Sequence, residues 1–124
     1  MTKTITLYGI NNCDTVKKAQ KWLNANSINY EFFDFKKQTL TPELLTQLVE
    51  LNDWSTLLNK RSTTYRNLSD EIKSNLTNEI AFKQVLAQPT LLKRPLLLIE
   101  TNDSHSDPKL HLGFKADSYQ EIFQ

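Results

Sequence analysis

Two adjacent stretches decide the fold, Ile5-Thr6-Leu7-Tyr8-Gly9-Ile10 and Thr15-Val16-Lys17-Lys18-Ala19-Gln20-Lys21-Trp22-Leu23. The first is apolar and β-rich and is followed by a polar turn, which predicts a buried strand over residues 4–10. The second has apolar residues at helical spacing with lysines between them, which predicts an amphipathic helix of about 12 residues. The chain therefore opens with a strand followed directly by a helix.

The chain has a single cysteine, Cys13, and it lies at the junction of this strand and helix. A thiol at a helix start is close to unpaired amides and to the positive end of the helix dipole, which favour the thiolate. Lone cysteines are frequently buried core residues, but the polar neighbours Asn12 and Asp14 argue against burial here. We therefore expect a nucleophilic cysteine. The negative charge of Asp14 opposes the thiolate, so cationic partners become important.

The rest of the chain returns to strand after a long helical segment. The alternation of Ile28–Phe35 predicts a second strand, and a strand, helix and strand within about 30 residues suggest a right-handed parallel βαβ unit. Residues 41–88 predict an all-helical insertion. It starts at Thr41 as an N-cap, with shorter helical pieces over 54–59, 69–75 and 77–87.

The last third supplies two strands and a final helix. The apolar run Pro95–Glu100 predicts a buried strand, Lys109–Gly113 a returning strand, and Asp117–Phe123 a short helix. The order matches an α/β, thioredoxin-like layout: a small mixed sheet with flanking helices and an all-helical insertion between the second and third strands. We expect a single domain over residues 1–124, with a thioredoxin-like part (1–40 and 89–124) and the insertion (41–88).

Composition narrows the possible partners and location. The 124 residues carry a formal net charge of +1, so no overall field favours direct nucleic-acid or membrane binding. One cysteine cannot form an internal disulfide, and no apolar run approaches the roughly 20 residues of a membrane span. The first residues lack the apolar segment of a signal peptide. These features predict a reduced, cytoplasmic location.

A family resemblance is carried by the residues around Cys13. The stretch Tyr8-Gly9-Ile10-Asn11-Asn12-Cys13-Asp14-Thr15-Val16-Lys17-Lys18-Ala19 closely resembles the opening motif of the arsenate reductase (ArsC) family, particularly its YffB-type branch. Three further stretches agree in order and spacing: Leu58–Ser62, Gln88–Pro95 and Leu112–Phe114. The resemblance spans essentially the whole chain. It implies a thioredoxin-like fold and a cis peptide bond before Pro95, where sequence alone gives only about 5% for cis.

The same resemblance implies a set of site residues. Arg61 and Arg94 match the anion-binding arginines of the family, so the implied catalytic set is Cys13, Arg61 and Arg94. Arginine suits this role because it stays charged and offers a planar fork of donors. Thr15 is also interpreted as the N-cap of the first helix. Substrate-binding roles are expected for four residues: Asn12, Thr15, Lys93 and Pro95.

Departures from the family pattern argue against arsenate as substrate. The arsenate reductases carry a His four residues before the nucleophilic Cys, where this chain has Gly9. They also carry a third arginine on the last strand segment, but no arginine follows Arg94 here. Lysine cannot reproduce the bidentate fork of the missing arginine. His105 and His111 are too few and too poorly spaced for a metal site with Cys13, so no metal is expected.

The missing second cysteine points to an external thiol. Any redox cycle at Cys13 must pass through a mixed disulfide with an external thiol, and we expect that thiol to be glutathione. The leading hypothesis is a glutathione-dependent thiol reductase with no tightly bound cofactor and with glutathione as co-substrate. An Spx-type regulator that binds RNA polymerase is the alternative. Arsenate reductase is third, and glutaredoxin is a further candidate partner.

Overall fold

The computed structural model describes residues 3–101 and 107–124. In this part of the chain four strands form one sheet in the order β2-β1-β3-β4. Strands β1 and β2 are parallel, while the β1–β3 and β3–β4 pairs are antiparallel. The predicted α/β fold with a small mixed sheet is confirmed. The strands are β1 (Lys3–Gly9), β2 (Glu31–Asp34), β3 (Leu96–Thr101) and β4 (Lys109–Leu112).

The first helix, α1 (Asp14–Ala25), packs its apolar face on the sheet. Its buried residues are Val16, Ala19 and Leu23, which is the apolar stripe that the spacing predicted. They share one core cluster with residues of β1 and β3 and with Tyr119. Full burial of a side chain the size of valine or leucine stabilises a fold by about 1.5–3 kcal/mol, so this face holds α1 against the strands.

The second strand begins later than predicted. The N–H of Ile28 donates to the carbonyl of Leu23 at 3.0 Å, and Ser27 adopts a positive φ of 57°. This hydrogen bond closes the C-terminal end of α1 and keeps the next residues out of the sheet. The strand predicted over Ile28–Phe35 is therefore shortened to β2.

Residues 39–93 form a compact unit that is helical, as predicted for the insertion. Thr41 is the N-cap of the first of these helices, because its hydroxyl accepts the N–H of Leu44 at 3.2 Å. The unit begins two residues before the predicted insertion of residues 41–88 and ends five residues after it. The helices are α2 (Pro42–Leu51), α3 (Trp54–Leu57), α4 (Thr63–Arg66), α5 (Asp70–Ser74) and α6 (Asn78–Ala87), and a 3₁₀ turn follows at Pro89–Leu91.

Two details of this unit differ from the sequence prediction. The helix predicted over 54–59 ends at Leu57, because Leu58 is extended and forms an antiparallel bridge with Leu92. The short helix α4 was not predicted. It forms because the Ser62 hydroxyl accepts the N–H of Tyr65 at 3.1 Å and so caps the first turn.

The described parts of 1–38 and 94–124 form the other compact unit. Strand β3 starts after Pro95, and its first half is fully buried. The chain ends on α7 (Ala116–Ile122), which begins one residue before the predicted helix and buries Tyr119. His105 lies outside the described residues. No helix within residues 3–101 and 107–124 has the length and apolar character needed to cross a membrane.

Candidate active site

Cys13 is the N-cap residue directly before α1. Its N–H donates to the carbonyl of Ile10 at 3.2 Å, and its own carbonyl accepts the N–H of Lys17 at 3.0 Å. Its extended backbone (φ −94°, ψ 124°) makes it the N-cap, and its side chain makes no capping hydrogen bond. The amides of the first turn therefore receive no partner from the cap. The sulfur is attached at the positive end of a 12-residue helix.

The Cys13 thiol is free and partly exposed. The side chain packs at the margin of the core cluster that contains Val16 and Ala19. A reactive cysteine has to be accessible to its substrate, whereas a structural cysteine is sealed in the core. The partial exposure of Cys13 is therefore compatible with a nucleophilic role.

The predicted role of Thr15 as helix cap is wrong. Thr15 is the second residue of α1 and is half-buried, and the cap position belongs to Cys13. Asp14, the first residue of the helix, is exposed and places a carboxylate beside the thiol in the chain. Asn12 is exposed as well, and its side-chain oxygen lies 3.5 Å from Nζ of Lys36. The substrate-binding roles of Asn12 and Thr15 stay predictions.

The peptide bond between Arg94 and Pro95 is cis, as the family resemblance implied. In the antiparallel β1–β3 ladder Tyr8 is paired with Leu96. Pro95 therefore precedes β3 at the end of the sheet where β1 runs into the loop that carries Cys13. This topology brings the Arg94–Pro95 bond and the cysteine loop to the same end of the sheet.

The segment at Pro95 is held from its other side by the last strand. The N–H of Gly113 donates to the Pro95 carbonyl at 2.9 Å, and Pro95 is buried. Arg94 is half-buried. The backbone of Arg94 is therefore positioned by two contacts of its neighbours: the pairing of β1 with β3, and the hydrogen bond from Gly113 to Pro95.

Arg61 and Lys93 belong to the unit of residues 39–93. The N–H of Lys93 donates to the Leu57 carbonyl at 2.8 Å, next to the bridge between Leu58 and Leu92. The structure therefore places the stretch that contains Arg61 beside the stretch that ends at Lys93. These are two of the stretches that carried the family resemblance.

The turn that carries Arg61 is fixed by short polar side chains. Asn59 accepts the N–H of Arg61 on its side-chain oxygen at 3.1 Å. The buried Ser62 donates its hydroxyl to the Asn59 carbonyl at 2.8 Å while it caps α4. The Arg61 side chain itself is exposed. Its approach to Cys13 stays a prediction.

Sequence reasoning missed a concave pocket of about 410 Å³ beside the cysteine loop. Three of its residues come from the loop and first turns around Cys13, one is the last residue of β2, and two come from the turn that follows β2. The signal that could have found it is the parallel βαβ unit, because the carboxyl ends of parallel neighbours meet at one edge of the sheet. The lining residues are Asn11, Asn12, Lys17, Asp34, Lys36 and Lys37.

Burial shifts the pKa of three side chains of the sheet unit. Burial, with a smaller contribution from Glu100, raises the pKa of Tyr8 to about 12, and burial also raises the pKa of Tyr119. Burial and then the nearby Lys109 charge lower the pKa of His111. We assign none of them a role in proton transfer. Within the described residues no group of three His, Cys, Asp or Glu side chains is placed to hold a metal ion.

Comparison with known families settles the assignment of the chain. The sequence profile of the ArsC family matches residues 8–122. The chain belongs to the ArsC family. An uncharacterized protein of Haemophilus influenzae is 42% identical to this ArsC protein over 119 residues, which are 96% of this chain and 98% of the relative.

Solved structures and a regulator extend this ArsC relationship. The structure of a protein named YFFB has a TM-score of 0.84 at 36% identity, covering 98% of this chain and 100% of that one. An arsenate reductase-related protein of Brucella melitensis has a TM-score of 0.74 at 40% identity, covering 98% and 95%. The global transcriptional regulator Spx of Lactiplantibacillus plantarum is 26% identical over 120 residues, covering 95% and 85%. The predicted family and its thioredoxin-like fold are confirmed.

Proposed function

We propose that this ArsC protein is a glutathione-dependent thiol reductase in which Cys13 is the nucleophile. One observation carries the proposal: the only cysteine is a partly exposed N-cap whose side chain leaves the first-turn amides of α1 without a capping partner. Backbone amides and the helix dipole at that position favour a thiolate, which is the attacking form of cysteine. The reaction requires a reducing compartment, for which we propose the cytoplasm.

The proposed cycle balances with glutathione alone as the reductant. The Cys13 thiolate attacks the glutathione sulfur of a mixed disulfide, forms a Cys13–glutathione disulfide and releases the other half of the substrate as a thiolate. The thiolate of a second glutathione molecule then attacks the glutathione sulfur on Cys13. Oxidised glutathione leaves and the Cys13 thiolate is restored, so one disulfide is exchanged for another and one substrate thiol is released.

In this proposal Arg61 and Arg94 stabilise the thiolate and bind the carboxylates of glutathione. A guanidinium group offers a bidentate fork to a carboxylate, and it stays charged at every relevant pH. Pro95 and Lys93 flank Arg94 in the chain, and they are proposed to contact the substrate together with Asn12 and Thr15. The topology supports this set in one respect, since the Arg94–Pro95 bond and the cysteine loop share one end of the sheet.

Arsenate is the less favoured substrate of this site. A compact trianion requires several precisely placed cations, and this chain lacks the third arginine of the family's arsenate reductases. Two arginines suffice for the looser task of holding a peptide carboxylate. A steady-state assay of arsenate reduction with glutathione and glutaredoxin tests this third possibility, and we expect no significant turnover.

A regulatory function is the second candidate, because a global transcriptional regulator Spx is 26% identical over nearly the whole chain. In this alternative the protein binds RNA polymerase and Cys13 has no catalytic role. The two functions are separated by a pull-down with purified RNA polymerase, using the native protein and Cys13→Ser. Stable binding that is equal for both proteins, without any glutathione adduct, favours the regulator.

The reductase proposal is tested by intact-mass analysis after incubation with oxidised glutathione. We expect one glutathione adduct on the native protein and none on Cys13→Ser. Arg61→Ala and Arg94→Ala should form the adduct at least several-fold more slowly. Arg66→Ala is the matched control, since Arg66 is exposed on α4 and lacks a match to the family's anion-binding arginines. Absence of an adduct on the native protein would overturn the proposal.

A further inference from the structure

We propose that the pocket beside the cysteine loop binds a carboxylate of the disulfide that Cys13 attacks. We call it the lysine pocket, and its residues are Asn11, Asn12, Lys17, Asp34, Lys36 and Lys37. The inference rests on the proposed function, because it assigns a substrate class to the same nucleophile. It goes beyond that function by adding a second anion site, built from lysines, to the two arginines.

The backbone ties the lysine pocket to the nucleophile. Asn12 directly precedes Cys13, and the N–H of Lys17 donates to the Cys13 carbonyl at 3.0 Å. The opposite wall comes from the turn after β2. Because Gly9 is paired with Asp34 in the parallel β1–β2 ladder, that turn and the cysteine loop leave the sheet at the same edge. A ligand in the pocket therefore lies beside the loop that carries the thiol.

The charge of the lining favours an anion. Three lysines face one carboxylate, that of Asp34, so the lining has an excess of two positive charges. Asp34 is only 5% exposed, and its Oδ1 accepts the N–H of Lys36 at 2.9 Å. This carboxylate is thus engaged by the backbone of the turn. The ammonium groups belong to exposed side chains, and that of Lys36 lies 3.5 Å from the side-chain oxygen of Asn12.

The size and charge of the pocket favour binding of a small carboxylate-bearing group of the disulfide substrate. The pocket is a shallow, open concavity of about 410 Å³, so it has room for a small charged group and does not enclose a whole ligand. Ammonium groups on flexible stems act as point charges, which suit a carboxylate presented at varying angles better than a rigid bidentate geometry. The inferred substrate class is therefore disulfides with a carboxylate on the half that Cys13 attacks, and glutathione disulfide is one member.

The test compares three small symmetric disulfides that differ in charge: dithiodipropionate with two carboxylates, neutral bis(2-hydroxyethyl) disulfide, and cationic cystamine. Adduct formation on Cys13 is followed by intact mass. The readout is the rate with dithiodipropionate divided by the rate with the neutral disulfide, because this ratio cancels changes in the reactivity of the thiolate itself. Each ratio is divided by the same ratio for the urea-unfolded chain, which removes the intrinsic reactivity of each disulfide. For the native protein we expect the normalised dithiodipropionate ratio to exceed the normalised cystamine ratio.

The decisive variant is Lys36→Glu/Lys37→Glu. It should lower the dithiodipropionate ratio by at least tenfold, because each reversed charge turns an attraction to the carboxylate into a repulsion. Lys18→Glu/Lys21→Glu is the matched control: it makes the same change in net charge at two exposed lysines of α1 that do not line the pocket. Added salt should shrink the native ratio and raise that of the pocket variant, because the lining of that variant carries an excess of two negative charges.

Two failures are distinguishable. If all three disulfides react but the pocket and control variants have equal ratios, the lysine pocket is overturned while the nucleophile stands. If no disulfide modifies the native protein, although the urea-unfolded chain reacts, the proposed function itself is overturned. Urea unfolding checks that both double variants fold. Lys17→Gln is an independent test, because Lys17 lines the opposite wall of the pocket from Lys36 and Lys37. It should also lower the dithiodipropionate ratio.

Discussion

Gly9 ends β1 in direct contact with Val16 of α1. A Cβ built on Gly9 lies 2.7 Å from Cγ2 and 3.1 Å from Cγ1 of Val16, which is fully buried. Valine is stiff about χ1, so it cannot turn away easily. A side chain at residue 9 would push α1 away from the sheet. Cys13, at the start of α1, would move with it.

Gly9→Ala should therefore destabilise the fold, although alanine has higher strand propensity than glycine. We expect a loss of about 1–3 kcal/mol in the free energy of unfolding, the usual cost of overpacking a core. Urea unfolding measures it. Adding Val16→Ala should recover part of the loss, so a double-mutant cycle that is strictly additive would contradict the packing explanation.

Gly113→Ala is the control for this contact. Gly113 has a φ of +74°, and a Cβ at that position meets nothing within 4 Å. Its substitution should cost about 1–2 kcal/mol through backbone conformation alone. Val16→Ala should not rescue that loss. The same crowding at Gly9 predicts that Gly9→His, which restores the residue type of the arsenate reductases, brings no gain in arsenate reduction.

Cys13 should react faster in the folded protein than in the unfolded chain. The thiolate is the attacking form of cysteine, and the start of α1 favours it only when the helix is folded. We expect native Cys13 to react with iodoacetamide faster than the same residue in the urea-unfolded chain at the same pH. Arg94→Ala should reduce this advantage and Arg66→Ala should not. Equal alkylation rates for the native and unfolded protein would remove the activation mechanism.

Ser62→Ala should weaken both the fold and the proposed site. The substitution removes the cap of α4 and the hydrogen bond to Asn59, with an expected loss of about 1–2 kcal/mol. It also loosens the turn that carries Arg61, so adduct formation with glutathione disulfide should slow. Thr77→Ala removes a cap of the same kind from α6. It should cost similar stability without affecting the adduct, and equal effects of both variants on the adduct would exclude this role of Ser62.

Tyr8 should make the protein sensitive to alkaline pH. Its pKa is raised from 10.0 to about 12 in the fold, so the folded state holds the phenolic proton more tightly than the unfolded chain does. The stabilisation is complete below about pH 10 and is lost as the pH rises toward 12. Urea unfolding of the native protein and Tyr8→Phe at pH 8 and pH 11 measures the difference. Tyr8→Phe should lose less stability between these values, and parallel losses would contradict the prediction.

The sequence predicted correctly the features that depend on neighbouring residues in the chain, such as helix faces and helix caps. The apolar face of α1 follows from the spacing of Val16, Ala19 and Leu23, and the cap at Thr41 follows from the hydroxyl that precedes a proline. The cis bond before Pro95 is different. Its basis was the family resemblance, because the physical preference for cis at an X–Pro bond is weak.

The features that were predicted wrongly or missed depend on contacts between residues that are distant in the chain, or on which of two nearby residues takes the N-cap position. Leu58 leaves the helical pattern because it is bridged to Leu92, which no window around residue 58 contains. The lysine pocket requires the register of two parallel strands. At the start of α1 the preference for threonine as a cap pointed to Thr15, whereas the backbone turn closed by Ile10 and Cys13 starts the helix two residues earlier.

Cys13 occupies the N-cap position of α1 but makes no capping hydrogen bond with its side chain. At this residue the stability of the fold and the reactivity of the thiol therefore favour different side chains. Serine at residue 13 would accept an amide hydrogen bond from the first turn, and caps of that kind contribute about 1 kcal/mol. Cys13→Ser should therefore unfold at higher urea concentration than the native protein while being chemically inert. Directed evolution of this chain for heat tolerance alone would therefore favour the inactive serine variant. A screen for more stable variants must also measure the reactivity of the Cys13 thiol.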